Sequence, residues 1–475
     1  MARFFKYKSS SDLTAENTRL GIDLRFSEDF SPYVQPLQIG PRTVGNRWCI
    51  HPMEGCDGEL DGSPGELTFR RYRRFGAGGA KVIWGEACAV TDEGRATPRQ
   101  IILTEATRPA FAKLVADCRR AHREANGDDA DLLFGLQLTH SGRYSYRRPL
   151  IATNDPLLDP RTIVDKKTGA TATADYPPMS DDDLKRLVDH YVTAARLAIA
   201  VGFDFVDVKQ CHGYLLNELL GARSRPGPFG GSYENRTRLA REIIQAIGAA
   251  VPSAILTCRL SVYDGIPFHK AEDSVGRPDA WSAPLQNAWG MSPTDPFTPD
   301  LTEPIRWVGE MQQLGVKLIN VTLGNPYAHP HVGRPFETPA PDSYESPEHP
   351  LIGVDRHFRL TAEMQRAHPT LPMIGTGYSY LQEFLPQAGA ANLRDGRTAL
   401  VGVGRGALAQ PDFARQVRAA GQLDRKRVCR TFSYCTALMR AKDHPLGQYP
   451  TGCPPFDKEA YGEVWKEVQE LRLKR

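Results

Sequence analysis

Eight short apolar runs, mostly unbroken rather than alternating in polarity, recur along this chain at 48–50, 80–84, 132–138, 203–208, 254–259, 317–322, 371–376 and 398–403. Between them lie stretches with helical signals, at 66–75, 104–123, 180–201, 234–250, 303–314, 381–388 and 411–420. In the second of these, Ala110, Leu114, Ala116 and Ala121 approximate a 3.6-residue period. Ser180 can cap the third, with Asp181 to Asp183 favourable in its first turn. Unbroken apolar strands are those covered by helices on their outer side. Eight βα units predict an α/β chain folded as a closed (β/α)8 TIM barrel, with an open doubly wound sheet as the alternative.

The chain divides accordingly into an N-terminal segment, 1–40, packed on the barrel through Phe30, Tyr33 and Leu37; the barrel itself, 41–425; and a short C-terminal extension, 426–475, with an amphipathic helix at 457–471. Two long insertions, at about 144–179 and 264–302, follow strand ends. In a barrel they would hang over the C-terminal face, where long loops serve as lids or binding loops.

Composition narrows the partners. A formal charge of +3 on 475 residues is near balance and argues against a nucleic-acid partner. No run of about 18 apolar residues is present, so no membrane span is expected, and the N-terminus lacks the apolar core of a signal peptide. Nine cysteines, an odd number scattered through the chain, fit reduced thiols in a cytoplasm. Oligomeric state stays open, a homo-oligomer included.

The chemistry gathers at the strand ends. After the run 203–208 come Lys209, His212 and Tyr214, three titratable groups within six residues. Any one of them could be a satisfied core residue; together at a strand's C-terminal end they mark a catalytic rim. Other strand ends carry Glu54, Glu86, Gln137 with His140 and Arg143, Arg259, Asn320, Asn325, Gly377 and the pair Gly404-Arg405. Amides and guanidiniums near the barrel's middle suit a flat polar ring. Glycines after the last two strands suit a phosphate held on backbone N–H groups. Ring and phosphate together describe FMN.

Several segments, in order, carry a family resemblance: VGNRWCIHPMEG (44–55), GEACAVTDEGR (85–95), LQLTHSGR (136–143), GFDFVDVKQCHGYLLNELL (202–220), FGGSYENRTR (229–238), RLS (259–261) and VGVGRGALAQPDF (401–413). The chain resembles the Old Yellow Enzyme family of FMN-dependent oxidoreductases over about residues 35–420. That resemblance implies that Pro52, Met53 and Ala87 pack along the flavin ring, with Glu54 facing it. Gln137 and Arg259 would bond the ring's polar edge. Gly377, Gly404 and Arg405 would hold the phosphate. His212 matches the position that bonds a substrate oxygen, and Tyr214 the proton donor. The implied reaction takes a hydride from NADH or NADPH through FMN to the activated C=C bond of an unsaturated carbonyl substrate, with Tyr214 protonating the product.

Two departures stand out. Lys209 replaces the usual His or Asn partner of His212, and Glu54 stands where relatives carry a small or thiol side chain. Two other reactions remain open: FMN-dependent oxidation of a C–H or C–N bond, and Schiff-base lyase chemistry at Lys209. The resemblance is to the dienoyl-CoA reductase and trimethylamine dehydrogenase branch, which carries a four-iron cluster and further domains after the barrel. Here that region offers only Cys429, Cys435 and Cys453, so no iron–sulfur cluster, no other metal and no further domains are expected.

Overall fold

The apolar runs form eight parallel strands in a computed structural model that describes residues 5–473. They are β1 (Trp48–Ile50), β2 (Val82–Ala89), β3 (Leu133–Thr139), β4 (Phe205–Val208), β5 (Ile255–Ser261), β6 (Leu318–Thr322), β7 (Met373–Gly375) and β8 (Leu400–Val403). Each pairs with the next in sequence, and β8 pairs with β1 through Val401 opposite Trp48, so the sheet closes. The fold is a (β/α)8 barrel, and the open sheet is excluded. Every residue of β2 and β3 is buried, because one face fills the barrel and the other meets the helices.

The outer ring consists of α1 (Glu66–Ala77), α2 (Arg108–Asn126), α3 (Asp181–Ala200), α4 (Arg238–Ala250), α5 (Thr302–Gln313), α6 (Pro350–Ala367), α7 (Leu385–Arg394) and α8 (Phe413–Ala420). Helix α6 was not among the helical stretches expected from the sequence. At α3 the Ser180 hydroxyl accepts from the Asp183 N–H, and the Asp183 carboxylate accepts from the Ser180 N–H. Two orphan donors of the first turn are thereby satisfied.

One end of the barrel is plugged. A hairpin of Leu37–Ile39 and Arg42–Val44 lies before β1. Its Ile39 and Val44 are fully buried against Val82, Trp84, Leu133, Phe205, Ile255, Leu318, Ile374 and Leu400. The N-terminal segment continues this packing: the Tyr33 ring stacks on Trp48 at 3.8 Å, and its hydroxyl donates to the Pro386 carbonyl at 2.9 Å. Ligands must therefore enter from the other end, over the C-terminal edges of the strands.

What roofs that end differs from the expectation. The insertion 264–302 contributes nothing to the large cavity there. Its residues Asp264 to Pro267 and Asn287 to Trp289 instead line a separate cavity of about 80 Å³. From the insertion 144–179 only Tyr144 reaches the large cavity. The roof comes from residues 326–342, after β6, and from the C-terminal extension. That extension holds α9 (Tyr434–Arg440) and α10 (Lys458–Leu473). It is tied to the barrel by Asp457, which accepts from Arg70 at 2.6 and 2.8 Å and also from Arg74. The two insertions are instead tied to each other, Arg161 to Asp279 and Asn287 to the Asn154 carbonyl and Asp155.

Within the lower barrel, Gly135 of β3 faces Phe205 of β4 so closely that a methyl group there would meet ring carbons at 2.2 Å. Phe205 is itself wedged against Trp84, ring centres 4.9 Å apart. Gly135→Ala is expected to destabilise the fold by about 1–3 kcal/mol through overpacking, read as a lower urea midpoint at constant m.

Candidate active site

Asp207 of β4 is fully buried inside the barrel, immediately beneath the cavity. Its carboxylate accepts from Trp84 Nε1 at 2.7 Å, Gln137 Nε2 at 2.6 Å and the Arg259 backbone N–H at 2.7 Å. Burial raises its pKa to about 6, and those three donors hold it from rising further. Four neighbouring strands are thus registered by one side chain. With its amide nitrogen taken, Gln137 keeps its oxygen for a ligand.

Above this lies a cavity of about 620 Å³. Pro52, Met53 and Glu54, which follow β1, form one part of its wall with Gln137 and Arg259. The Arg259 guanidinium donates Nη1–H to the Pro52 carbonyl at 3.3 Å, while its buried Nε finds no partner. Asn320 of β6 donates to His51 Nδ1 at 3.1 Å and leaves its own oxygen unpaired. Of these two residues Arg259 lines the cavity, and a donor left unmet there is ready for a polar ligand. Ala87 is not part of the wall: it lies within β2, and its carbonyl accepts from Gln100 Nε2 at 3.1 Å.

At the other end stand Gly377, with φ of +101°, Gly404 and Arg405. Arg405 opens a short helix, donates Nη2–H to the Pro335 carbonyl at 2.6 Å, and has a buried, unpartnered Nη1. Beside it is Arg334, which bonds Thr436 of α9. Burial and repulsion from Arg405 and Arg440 lower the Arg334 pKa to about 9. No carboxylate is paired with Arg334 or Arg405 among the described residues. Two guanidiniums held together without a counter-ion form an anion site.

The third wall carries the titratable cluster. Lys209 is 4% exposed, with Nζ 3.7 Å from Glu54 Oε1 and 3.4 Å from the centre of the Tyr214 ring. Its pKa is lowered by burial, an effect that Glu54 opposes. Lys209 and Glu54 are therefore partners. The Tyr214 hydroxyl donates to Glu54 at 3.0 Å and lies 3.1 Å from the Tyr327 hydroxyl. Burial and the Glu54 charge hold the Tyr214 phenol well above its ordinary value. His212, in a left-handed conformation with φ of +66°, lies 3.3 Å from Thr322 Oγ1 through Nε2. Burial, then Arg259 and Lys209, keep it far below the usual histidine range, so its imidazole is neutral.

Several strand-end residues turn out to be architectural. Glu86 pairs with buried Arg71, and Arg143 with Glu218 and Asp159, all away from the cavity. Asn325 donates to the Tyr144 hydroxyl at 2.6 Å, so it orders an aromatic neighbour of the site. The cysteines are free, and no group of His, Cys, Asp or Glu able to hold a metal occurs among the described residues.

The family described as NADH:flavin oxidoreductase / NADH oxidase matches residues 33–314, more than half of the chain. The chain belongs to that family. A putative 12-oxophytodienoate reductase 3 of Oryza sativa is 28% identical over 245 residues, 51% of this chain and 61% of the relative. An NADPH dehydrogenase of Bacillus subtilis is 30% identical over 218 residues, 45% of this chain and 58% of the relative. The matches thus span about three fifths of these relatives. Among solved structures, morphinone reductase in complex with tetrahydroNAD superposes with a TM-score of 0.57 at 20% identity, covering 82% of this chain and 92% of that one. The old yellow enzyme homologue from Zymomonas mobilis gives 0.57 at 20%, covering 84% and 96%. At such identity the likeness is one of fold.

Within this NADH:flavin oxidoreductase-family site, sequence reasoning missed Tyr327, Tyr144, Ser379 and Arg334, and all of the extension's contribution: Cys435, Thr436, Met439, Arg440, Lys442, Gln448 and Thr451. Tyr327 lay in the Gly324-Asn325-Pro326-Tyr327 turn directly after β6, a strand-end position that could have been flagged. The extension carried no such signal.

Asp207→Ala would strand three donors inside the barrel and is expected to cost about 3 kcal/mol or more. A raised carboxyl pKa contributes stability at low pH that is lost as pH rises towards the folded value. The stability difference between wild type and Asp207→Asn should therefore shift against the wild type as pH rises from about 4 to about 6, measured by urea denaturation across that range.

Proposed function

We propose that the protein is an FMN-dependent oxidoreductase that uses NADH or NADPH to reduce the activated C=C bond of an unsaturated carbonyl compound. One observation carries this reading: an anion site at Arg334, Arg405, Gly377 and Gly404, with no carboxylate paired to either guanidinium among the described residues, shares a single cavity with Gln137 and with Arg259, whose buried Nε finds no partner. Phosphate at one end and a flat heteroaromatic ring at the other are what these donors fit. Arg405, Arg334 and the Gly377 and Gly404 backbone would hold the phosphate; Pro52, Met53, Gln137 and Arg259 would hold the ring. Bound there, FMN supplies hydride chemistry between a nicotinamide dinucleotide and a second substrate.

The chain's own groups do the rest. Neutral His212 can donate to a substrate oxygen without adding charge, and Arg259 is the cation that keeps the local field positive where that oxygen becomes more anionic. Tyr214, kept protonated by its raised pKa, is the group that gives a proton to carbon. Tyr144 and Tyr327, with ring centres 4.3 Å apart, close the mouth with apolar surface. Lys209, paired with Glu54, is placed to orient Tyr214 rather than to form a Schiff base.

Purified protein is expected to be yellow, to release free FMN on denaturation, and to be bleached anaerobically by NADH or NADPH and recoloured by 2-cyclohexen-1-one. Protein that carries FMN but is bleached by neither dinucleotide would favour oxidation of a substrate C–H or C–N bond. Arg405→Ala should weaken FMN binding by about 1.5–3 kcal/mol, roughly ten- to hundredfold, as measured by fluorescence titration of cofactor-free protein. Tyr214→Phe should slow recolouring much more than bleaching.

A further inference from the structure

Glu54, Tyr214 and Tyr327 form a hydrogen-bonded row across the cavity wall. Tyr214 Oη is 3.0 Å from Glu54 Oε1 and 3.1 Å from Tyr327 Oη. An ionised carboxylate only accepts hydrogen bonds, and each phenol has one proton. Tyr214 therefore donates to Glu54, and Tyr327 donates to Tyr214. The row is braced at both ends. Lys209 Nζ sits 3.7 Å from Glu54 Oε1 and over the Tyr214 ring. The Tyr327 ring lies against Tyr144, and its backbone N–H donates to Asn325 Oδ1 at 2.9 Å. The two ends also differ in access. Tyr214 is 2% exposed, whereas Tyr327 is 40% exposed.

We propose that Tyr214 and Tyr327 form a proton relay in which Tyr327 is the solvent port and Glu54 positions the Tyr214 hydroxyl. This rests on the proposed function. As the Tyr214 O–H bond breaks and its proton joins the substrate carbon, the Tyr327 proton moves to the Tyr214 oxygen, and water reprotonates Tyr327. One proton passes from solvent to product, the electron pair comes from NADH or NADPH, and neither phenol is left charged. The Glu54 carboxylate, itself held by Lys209, fixes the Tyr214 hydroxyl at the head of the row and so positions the proton that is delivered. The groups facing Glu54 are Lys209, Tyr214, Tyr327 and Cys56.

The test follows recolouring of NADH- or NADPH-reduced protein by 2-cyclohexen-1-one. Tyr327→Phe should slow recolouring by about tenfold or more while bleaching changes far less. An independent readout uses cofactor-free protein: removing the Glu54 charge should bring one tyrosine's alkaline absorbance change to lower pH. A Tyr327→Phe protein that bleaches and recolours at the wild-type rate overturns the relay. If neither dinucleotide bleaches the protein, the proposed function falls instead. The tyrosine titration then decides the row by itself, and an unshifted profile in Glu54→Gln overturns it.

Discussion

A carboxylate with no exposure to water holds the middle of this barrel. Asp207 takes hydrogen bonds from β2, β3 and β5 while sitting on β4, so half of the closed sheet is registered by one side chain. Burying such a charge is unfavourable unless every lone pair finds a donor, and here indole, amide and backbone all serve. The same contacts fix Gln137 and the start of the Arg259 side chain. Barrel integrity and ligand geometry therefore share a support, and a defect in one is felt in the other.

The barrel was legible because its strands are buried on both faces and therefore read as unbroken apolar runs between helices. Segments 44–55, 136–143 and 202–220 kept the right residues at the right strand ends, so Pro52, Gln137, Lys209, His212 and Tyr214 meet at one cavity. Local pattern failed where packing between distant segments decides the outcome. Glu86 and Arg143 look like site residues from their position after strands, but each finds a buried counter-ion off to the side. Insertion 264–302 carries two tryptophans, and Trp289 is completely buried, donating to the Ser261 carbonyl at 2.8 Å. A segment so anchored cannot also be the roof. Helix α6 was missed because a proline-rich stretch, Pro326 to Pro347, precedes it and Pro350 opens it, which reads as loop.

Electrostatically, the site is divided into a neutralised half and a half that awaits its counter-ion. Lys209 and Glu54 cancel beside Tyr214, and His212 is neutral among cations. Arg334 and Arg405 have no carboxylate partner among the described residues at the far end, and the lowered pKa of Arg334 reflects its burial first and the nearness of Arg405 second. A ligand with a dianionic terminus and an uncharged ring would relieve both conditions at once. Anions that reach only the tyrosine wall meet a field already balanced there.

The C-terminal extension supplies Thr436, Met439, Arg440 and Lys442 to the cavity, although none of its residues belongs to the eight-stranded sheet. Its docking depends on the ion pairs of buried Asp457 with Arg70 and Arg74, on that of Arg440 with Asp342, and on the hydrogen bond from the Thr451 N–H to the Gly55 carbonyl. Chemistry and selectivity are thereby placed under separate genetic control. Changes at Met439 or Lys442 can alter what is admitted while the ties of Asp457 to Arg70 and Arg74 stay in place, so a lineage could explore new ligands here while its reaction centre stayed as it is.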